Sequence, residues 1–176
     1  MRPDLPQIAA MRATAGVPVD AILAETAAIL RPAVSRIAGI VQEEHGSGER
    51  PMTRLRDLRD GALVRISQDL GRHARGCRLD PGALAQAARR LEDALDAGAD
   101  LLILNRFGKS EAEGGGLRPV IERVMLAGIP ILTAVRDAYA GAWEDFHGGL
   151  AVRLPAERQA VLGWCHAALH LNLEPM

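Results

Sequence analysis

The 176-residue sequence is poor in aromatic side chains, at 3%, and Lys109 is the lone lysine among its 21 basic residues. Its two cysteines, Cys77 and Cys165, lie far apart and form no CxxC pair. Each scarcity excludes something. With 48% apolar residues and few aromatics, the core must be built from Ala, Leu, Ile and Val. Two isolated cysteines make no disulfide framework and fit a reducing cytoplasm. The net charge of -1 lacks the basic excess of a general nucleic-acid binder. No apolar run approaches the roughly 20 residues needed to cross a bilayer, and the opening "MRPDLPQIAAM" has no apolar segment of a signal peptide. The expectation is a cytoplasmic protein without nucleic-acid or membrane partners. Its length fits one compact domain spanning residues 1–176.

What is present is an alternation of short apolar runs with longer amphipathic ones. "QIAAM" (Gln7 to Met11) reads as a buried strand, and "VDAILAETAAILRPA" as a helix that Pro32 stops near Arg31. "RIAGIVQ" (Arg36 to Gln42) is a second strand, followed by the loop "EEHGSGERP". "MTRLRDLRDGALVRISQDLG" alternates around an Asp-Gly turn, the pattern of a β-hairpin. Asp80 caps the next helix, with Pro81 at its first position and Gly98 as its stop. "DLLILN" is apolar on both faces, which marks a central parallel strand. A helix ("GLRPVIERVMLAG"), a buried strand ("IPILTAV"), a short helix ("AYAGAWEDFHGG"), an edge strand ("LAVRL") and a terminal helix complete the chain. This order predicts an α/β fold of three layers, with a mainly parallel sheet and a β-hairpin insertion.

Lys109 sits in Gly108-Lys109-Ser110, the ending of a phosphate-binding P-loop. The pattern GxxxxGK[ST] needs its first glycine so that backbone can wrap the phosphates. That position is Ile103, inside the strand, and "EAEGGG" brings two carboxylates to where phosphates would lie. The tripeptide is therefore not a Walker A motif. It does fall just past the end of a central strand, the edge where open α/β sheets bind ligands. Lys109, with Gly108 and Gly114 to Gly116, is a candidate anion site.

"DLLILNRFGKSEAEGGGLRPVIERVMLAGIPILTAV" resembles the second half of the small P-loop nucleoside triphosphatases of the type found in thermophiles. "RISQDLGRHARGCRLDPGAL" together with "LNRFGKSEAEGGGL" is similar to a bacterial family of unknown function related to them, often encoded near molybdenum-uptake or nitrogen-fixation genes. The resemblance implies a P-loop-NTPase-like topology and an accessory role in molybdenum metabolism. The departures bear on chemistry. The Walker A place reads "MRATAGVPVDAILAE", with no lysine, and Asp20 falls in the first helical turn, where it opposes a phosphate. The Walker B acids are replaced by Asn105 and Arg106. Mg²⁺ prefers carboxylate and phosphate oxygens, so hydrolysis by the usual route is not expected, and the cofactor is left open.

"SQDLGRHARGCRLD" gathers Arg72, His73, Arg75 and Arg78 around Cys77. Arginine forks suit oxyanions or a nucleotide tail. The expected ligand site is Arg72, Arg75, Arg78, Arg106, Gly108, Lys109 and Ser110, with a small anion as ligand. Glu43, Glu44 and His45 form a loop triad with weaker claims to a metal, and His166 and His170 share a helix face but lack a third ligand, so no metal site is assigned. Trp143, Phe146 and Trp164 read as core or subunit contacts. Two rival functions stand beside the binding protein: a divergent nucleoside triphosphatase or phosphotransferase, and a partner protein forming a homodimer through the terminal helix.

Overall fold

The computed structural model describes residues 7–45, 52–67 and 80–170. Seven strands form a sheet in the order β4-β3-β2-β5-β6-β1-β7. They are β1 (Ile8–Ala13), β2 (Ile37–His45), β3 (Met52–Asp57), β4 (Leu63–Arg65), β5 (Leu101–Leu104), β6 (Ile131–Arg136) and β7 (Ala151–Leu154). β2, β5, β6, β1 and β7 run parallel. β3 turns back against β2, and β4 against β3, as the expected hairpin. Its connection includes Asp60 and Gly61, and Gly61 supplies the positive φ of +76° that the turn needs.

The helices are α1 (Val19–Leu30), α2 (Pro81–Asp96), α3 (Lys109–Ala112), α4 (Arg118–Leu126), α5 (Ala140–His147) and α6 (Arg158–Ala168). Strand β5 explains the layering. All four of its residues are buried, and successive side chains point to opposite faces. Leu102 and Leu104 join a core with α2, α4 and α5, through Leu91, Ile121 and Trp143. Leu101 and Ile103 join a second core with α1 and α6, through Leu23 and Val161. The three-layer α/β architecture is thus present.

The predicted boundaries hold where a local signal sets them. Asp80 Oδ1 accepts from the N–H groups of Gly82 and Ala83 at 2.9 and 3.3 Å, and Gly98 follows the end of α2 at φ +93°. α1 ends at Leu30, before Pro32. The second strand does not stop at Gln42. It continues to His45 because β3 pairs with it over Ile40 to His45. Glu43 and Glu44 are therefore strand residues rather than loop residues. The approach of β2 to β5 is close at Gly39: a Cβ there would lie 2.1 Å from the Ile103 carbonyl oxygen.

Candidate functional site

Past the carboxyl ends of β2, β5 and β6 lies a cleft of about 480 Å³. Arg106, Lys109 and Arg136 bring positive charge to it, Glu44 and Glu111 bring carboxylates, and Gln42 and Asn105 add neutral polar groups. Leu55, Ile66, Leu84 and Leu117 supply an apolar lining. Of the residues expected to bind an anion, Arg106, Gly108, Lys109 and Ser110 all line this cleft. The remaining three, Arg72, Arg75 and Arg78, lie outside the described residues, as do His73 and Cys77. The described flanks of that segment meet each other: the Asp80 N–H donates to the carbonyl of Ile66 at 2.6 Å.

The Lys109 loop is held from both ends. Phe107, fully buried, extends β5 by a bridge to Val135, and its N–H donates to the Ala134 carbonyl at 2.9 Å. Its ring packs against Trp143 and Phe146 with centroids 5.1 and 5.5 Å apart. Of the aromatics read as core or subunit contacts, Trp143 and Trp164 are buried in the core. Phe107 is an anchor that the sequence reading missed, although a phenylalanine beside the Gly108 turn in a chain this poor in aromatics was a usable signal.

On the far side, Glu111 turns inward. Its carboxylate accepts from the Gly108 and Leu117 N–H groups, both at 3.0 Å, and the residue is 6% exposed. Glu111 lines the cleft, as "EAEGGG" led one to expect of its carboxylates, but its oxygens are engaged by the backbone. Glu113 is exposed, but Glu111 is spent on the backbone and shapes the loop that presents Lys109. Gly116 makes room for it: at φ +58°, a Cβ there would meet Glu111 Oε1 at 2.3 Å.

Arg106 also departs from expectation. Its Nη2 donates to Asp20 Oδ2 at 2.7 Å, across 86 residues of sequence. Asp20, in the first turn of α1, and Arg106, beyond β5, thus form an ion pair. Arg106 is accordingly a cleft residue whose charge already has a counterion. Burial lifts the Asp20 carboxyl above its ordinary range despite Arg106, and Glu44 pushes the same way while Arg136 opposes it. Asp20 Oδ1 and Arg106 Nε are both shielded from solvent, with no hydrogen-bond partner among the described residues.

The other constellations resolve into structure. Glu43 accepts from Arg56 at 2.5 and 3.1 Å, which holds its carboxyl below the usual range. His170 lies beyond α6 at φ 55°, so it does not share a helix face with His166. Cys165 is buried, and burial pushes its thiol up to about 12. No three His, Cys, Asp or Glu residues among those described form a group that could hold a metal ion. Among the described residues, no helix is long and apolar enough to cross a membrane. A further cavity of about 300 Å³ lies beside β1, β7 and α5, where Arg12 pairs with Asp137 and Arg153 with Glu144.

A family model described as "Protein of unknown function (DUF2478)" matches residues 8–164. The chain belongs to the DUF2478 family. This DUF2478 chain is also 40% identical over 148 residues to the molybdenum import ATP-binding protein ModC 2 of Bradyrhizobium diazoefficiens. That match covers 83% of the chain but 16% of the relative, so the chain spans about a sixth of that protein's length. Among solved structures, THEP1 from the hyperthermophile Aquifex aeolicus superposes with a TM-score of 0.57 at 17% identity. The superposition covers 92% of this chain and 97% of THEP1. At that identity the likeness shows the fold, which is P-loop-NTPase-like, as the sequence resemblance implied.

Proposed function

We propose that this DUF2478 protein is a binding domain that holds an anionic ligand, an oxyanion or a nucleotide, at the carboxyl edge of its sheet without hydrolysing it. One observation carries the reading. The cleft brings Lys109, Arg136 and Arg106 together with an apolar lining, so an anionic group and an organic body both find complementary surfaces. Lys109 is exposed on a loop fixed by Phe107 and Glu111, which orders the backbone around the charge. Arg72, Arg75 and Arg78 are assigned to the same ligand on the chemistry of their side chains.

The absence of hydrolysis follows from charge. A triphosphatase places carboxylates beyond the central strand to hold Mg²⁺. Here a guanidinium occupies that place, and its counterion, Asp20, sits in the first turn of α1. Asp20 repels the phosphate that this helix end would otherwise attract. The name of the Bradyrhizobium relative supports an accessory role in molybdenum uptake, with this domain reporting ligand state to a larger assembly.

The test is a thermal-shift panel of inorganic phosphate, sulfate, molybdate, tungstate, ATP and GTP, with and without Mg²⁺. A ligand at 100 times its Kd stabilises by about 2.7 kcal/mol, several degrees in midpoint for a chain of this size. The Lys109→Ala protein is expected to lose that shift. Absence of any shift refutes the anion site and favours a partner protein, whose homodimer light scattering would detect. Mg²⁺-dependent turnover of ATP or GTP refutes the non-hydrolytic reading.

A further inference from the structure

The cleft at the carboxyl edge is not uniform, and the strand order β3-β2-β5-β6 grades it. On the β3 side the wall is apolar: Leu55 and Ile66 are buried, and Leu84 of α2 joins them. Gln42 comes next, held opposite Leu55 by the register of β2 on β3. The Asn105 amide, just past β5, donates to the Gln42 carbonyl oxygen at 3.5 Å. On the β6 side stand Lys109 and Arg136. The bridge from Phe107 to Val135 is parallel, so Gly108 follows on beside Arg136 and Lys109 comes one residue later. Both cations are exposed. Neither makes an ion pair among the described residues. Arg106, by contrast, is paired with Asp20.

Each zone of this gradient suits a different part of one ligand. The bond between Asn105 and Gln42 uses one donor and one acceptor. It leaves the Gln42 amide N–H groups and the Asn105 carbonyl without a further partner among the described residues. Turning both amides over exchanges the two roles and still leaves one donor beside one acceptor. A nucleobase edge carries the matching pair, and the apolar wall takes the faces of its ring. The two unpaired cations take an anionic group. Adjacent strands lie about 4.8 Å apart, a gap that a sugar ring spans between base and phosphate. The charges limit that group to a single phosphate. Glu44 and Glu111 line the cleft and Asp20 sits on Arg106, so three carboxylates face three cations. The further phosphates of a triphosphate would run toward Glu44 or Asp20 and be repelled. A bare oxyanion would reach Lys109 and Arg136 but leave the leucine and isoleucine wall wet. At about 480 Å³ the cleft has the size of a site for an organic molecule.

We propose that the cleft is a nucleoside monophosphate site. The base lies toward Leu55 and Leu84 with its edge on Gln42 and Asn105, and the phosphate lies between Lys109 and Arg136. The proposal rests on the anion-site reading above and selects, within it, the nucleotide over the oxyanion.

The experiment is titration calorimetry of the whole protein, without Mg²⁺, with AMP, GMP, ATP, GTP, ribose 5-phosphate, inorganic phosphate and molybdate. The tighter monophosphate is expected to bind about tenfold better than its own triphosphate, which meets the carboxylates. It should bind about 100-fold better than ribose 5-phosphate or either inorganic ion, which lack the base and its apolar contact. Asn105→Ala should weaken the monophosphate about tenfold and leave ribose 5-phosphate unchanged, whereas Lys109→Ala should weaken both. If Asn105→Ala does not fold, the wild-type series decides alone. Triphosphates that bind as tightly as the monophosphates overturn the proposal, and so does ribose 5-phosphate or an inorganic ion that matches them. Each of those results leaves the anion site standing. Binding of none of the seven overturns both the proposal and the anion site.

Discussion

Replacing Glu111 tests how the Lys109 loop is held. The buried carboxylate accepts from two backbone N–H groups at 3.0 Å, those of Gly108 and Leu117. In Glu111→Ala both donors lose their partner. Leu117 is 2% exposed, so its N–H bears a full desolvation cost of about 1–3 kcal/mol. Gly108 is half-buried and recovers part of its bond from water. Charge-assisted bonds of this kind are worth about 1.5–3 kcal/mol each, and the sum comes to about 3–4 kcal/mol. For a chain of this size the Tm falls by roughly 6–16 °C. Glu111→Gln keeps one acceptor but turns an amide N–H toward a backbone N–H, so it should lose about half as much. The exposed Glu113→Ala is the control and should change little. Urea unfolding followed by circular dichroism measures all three. A Glu111→Ala protein within about 1 kcal/mol of wild type, or equal to Glu113→Ala, refutes the assignment of Glu111 as the clamp of this loop.

Three other outcomes are expected. Gly39→Ala should destabilise by about 3 kcal/mol or more, because its Cβ meets the Ile103 carbonyl at 2.1 Å and backbone cannot yield as a side chain would; wild-type urea unfolding would refute this. Cys165, with its thiol pushed up to about 12, should resist iodoacetamide at about pH 8 in a Cys77→Ser background until the protein is unfolded, and intact mass reads the result. Asp20 has a raised carboxyl, so the folded state binds more protons than the unfolded one. Its contribution to stability is present below the unfolded value of about 4 and is lost as pH rises through the folded value. The stability of Asp20→Asn relative to wild type should therefore improve from acid toward neutral pH, and a constant difference would contradict the assignment.

The sequence carried those parts of the fold that one segment can announce alone. "DLLILN" needs no partner to be recognised as doubly buried, and Asp80 with Pro81 specifies a helix start from adjacent residues. Strand β2 ran past its expected end because β3 supplies a ladder for Glu43 and Glu44, which look like loop residues in isolation. The site was legible in the same uneven way. Lys109, Gly108, Ser110 and Arg106 were placed at one edge by strand topology, and they do line one cleft. Asp20 and Arg106 were each seen to contradict a triphosphatase, but their pairing spans 86 residues and is fixed by packing. The inward turn of Glu111 was not legible, because a glutamate in a glycine-rich loop reads as solvated. Its direction depends on Gly116, which leaves space where any other residue would project a Cβ.

Strand β1 lies between β6 and β7, pairing Ile8 with Ile131 on one side and with Ala151 on the other. Its neighbours are thus made about 120 and 140 residues later. At about 5–20 residues per second, a nascent β1 waits some 6–30 s for them. Over that interval both of its edges stand open, and the buried Ala9 and Met11 have no core to enter. A polypeptide truncated before β6 keeps the waiting strand and loses both of its neighbours. The sheet can therefore close around β1 only after β6 and β7 have been made, and until then β1 is a strand with two open edges.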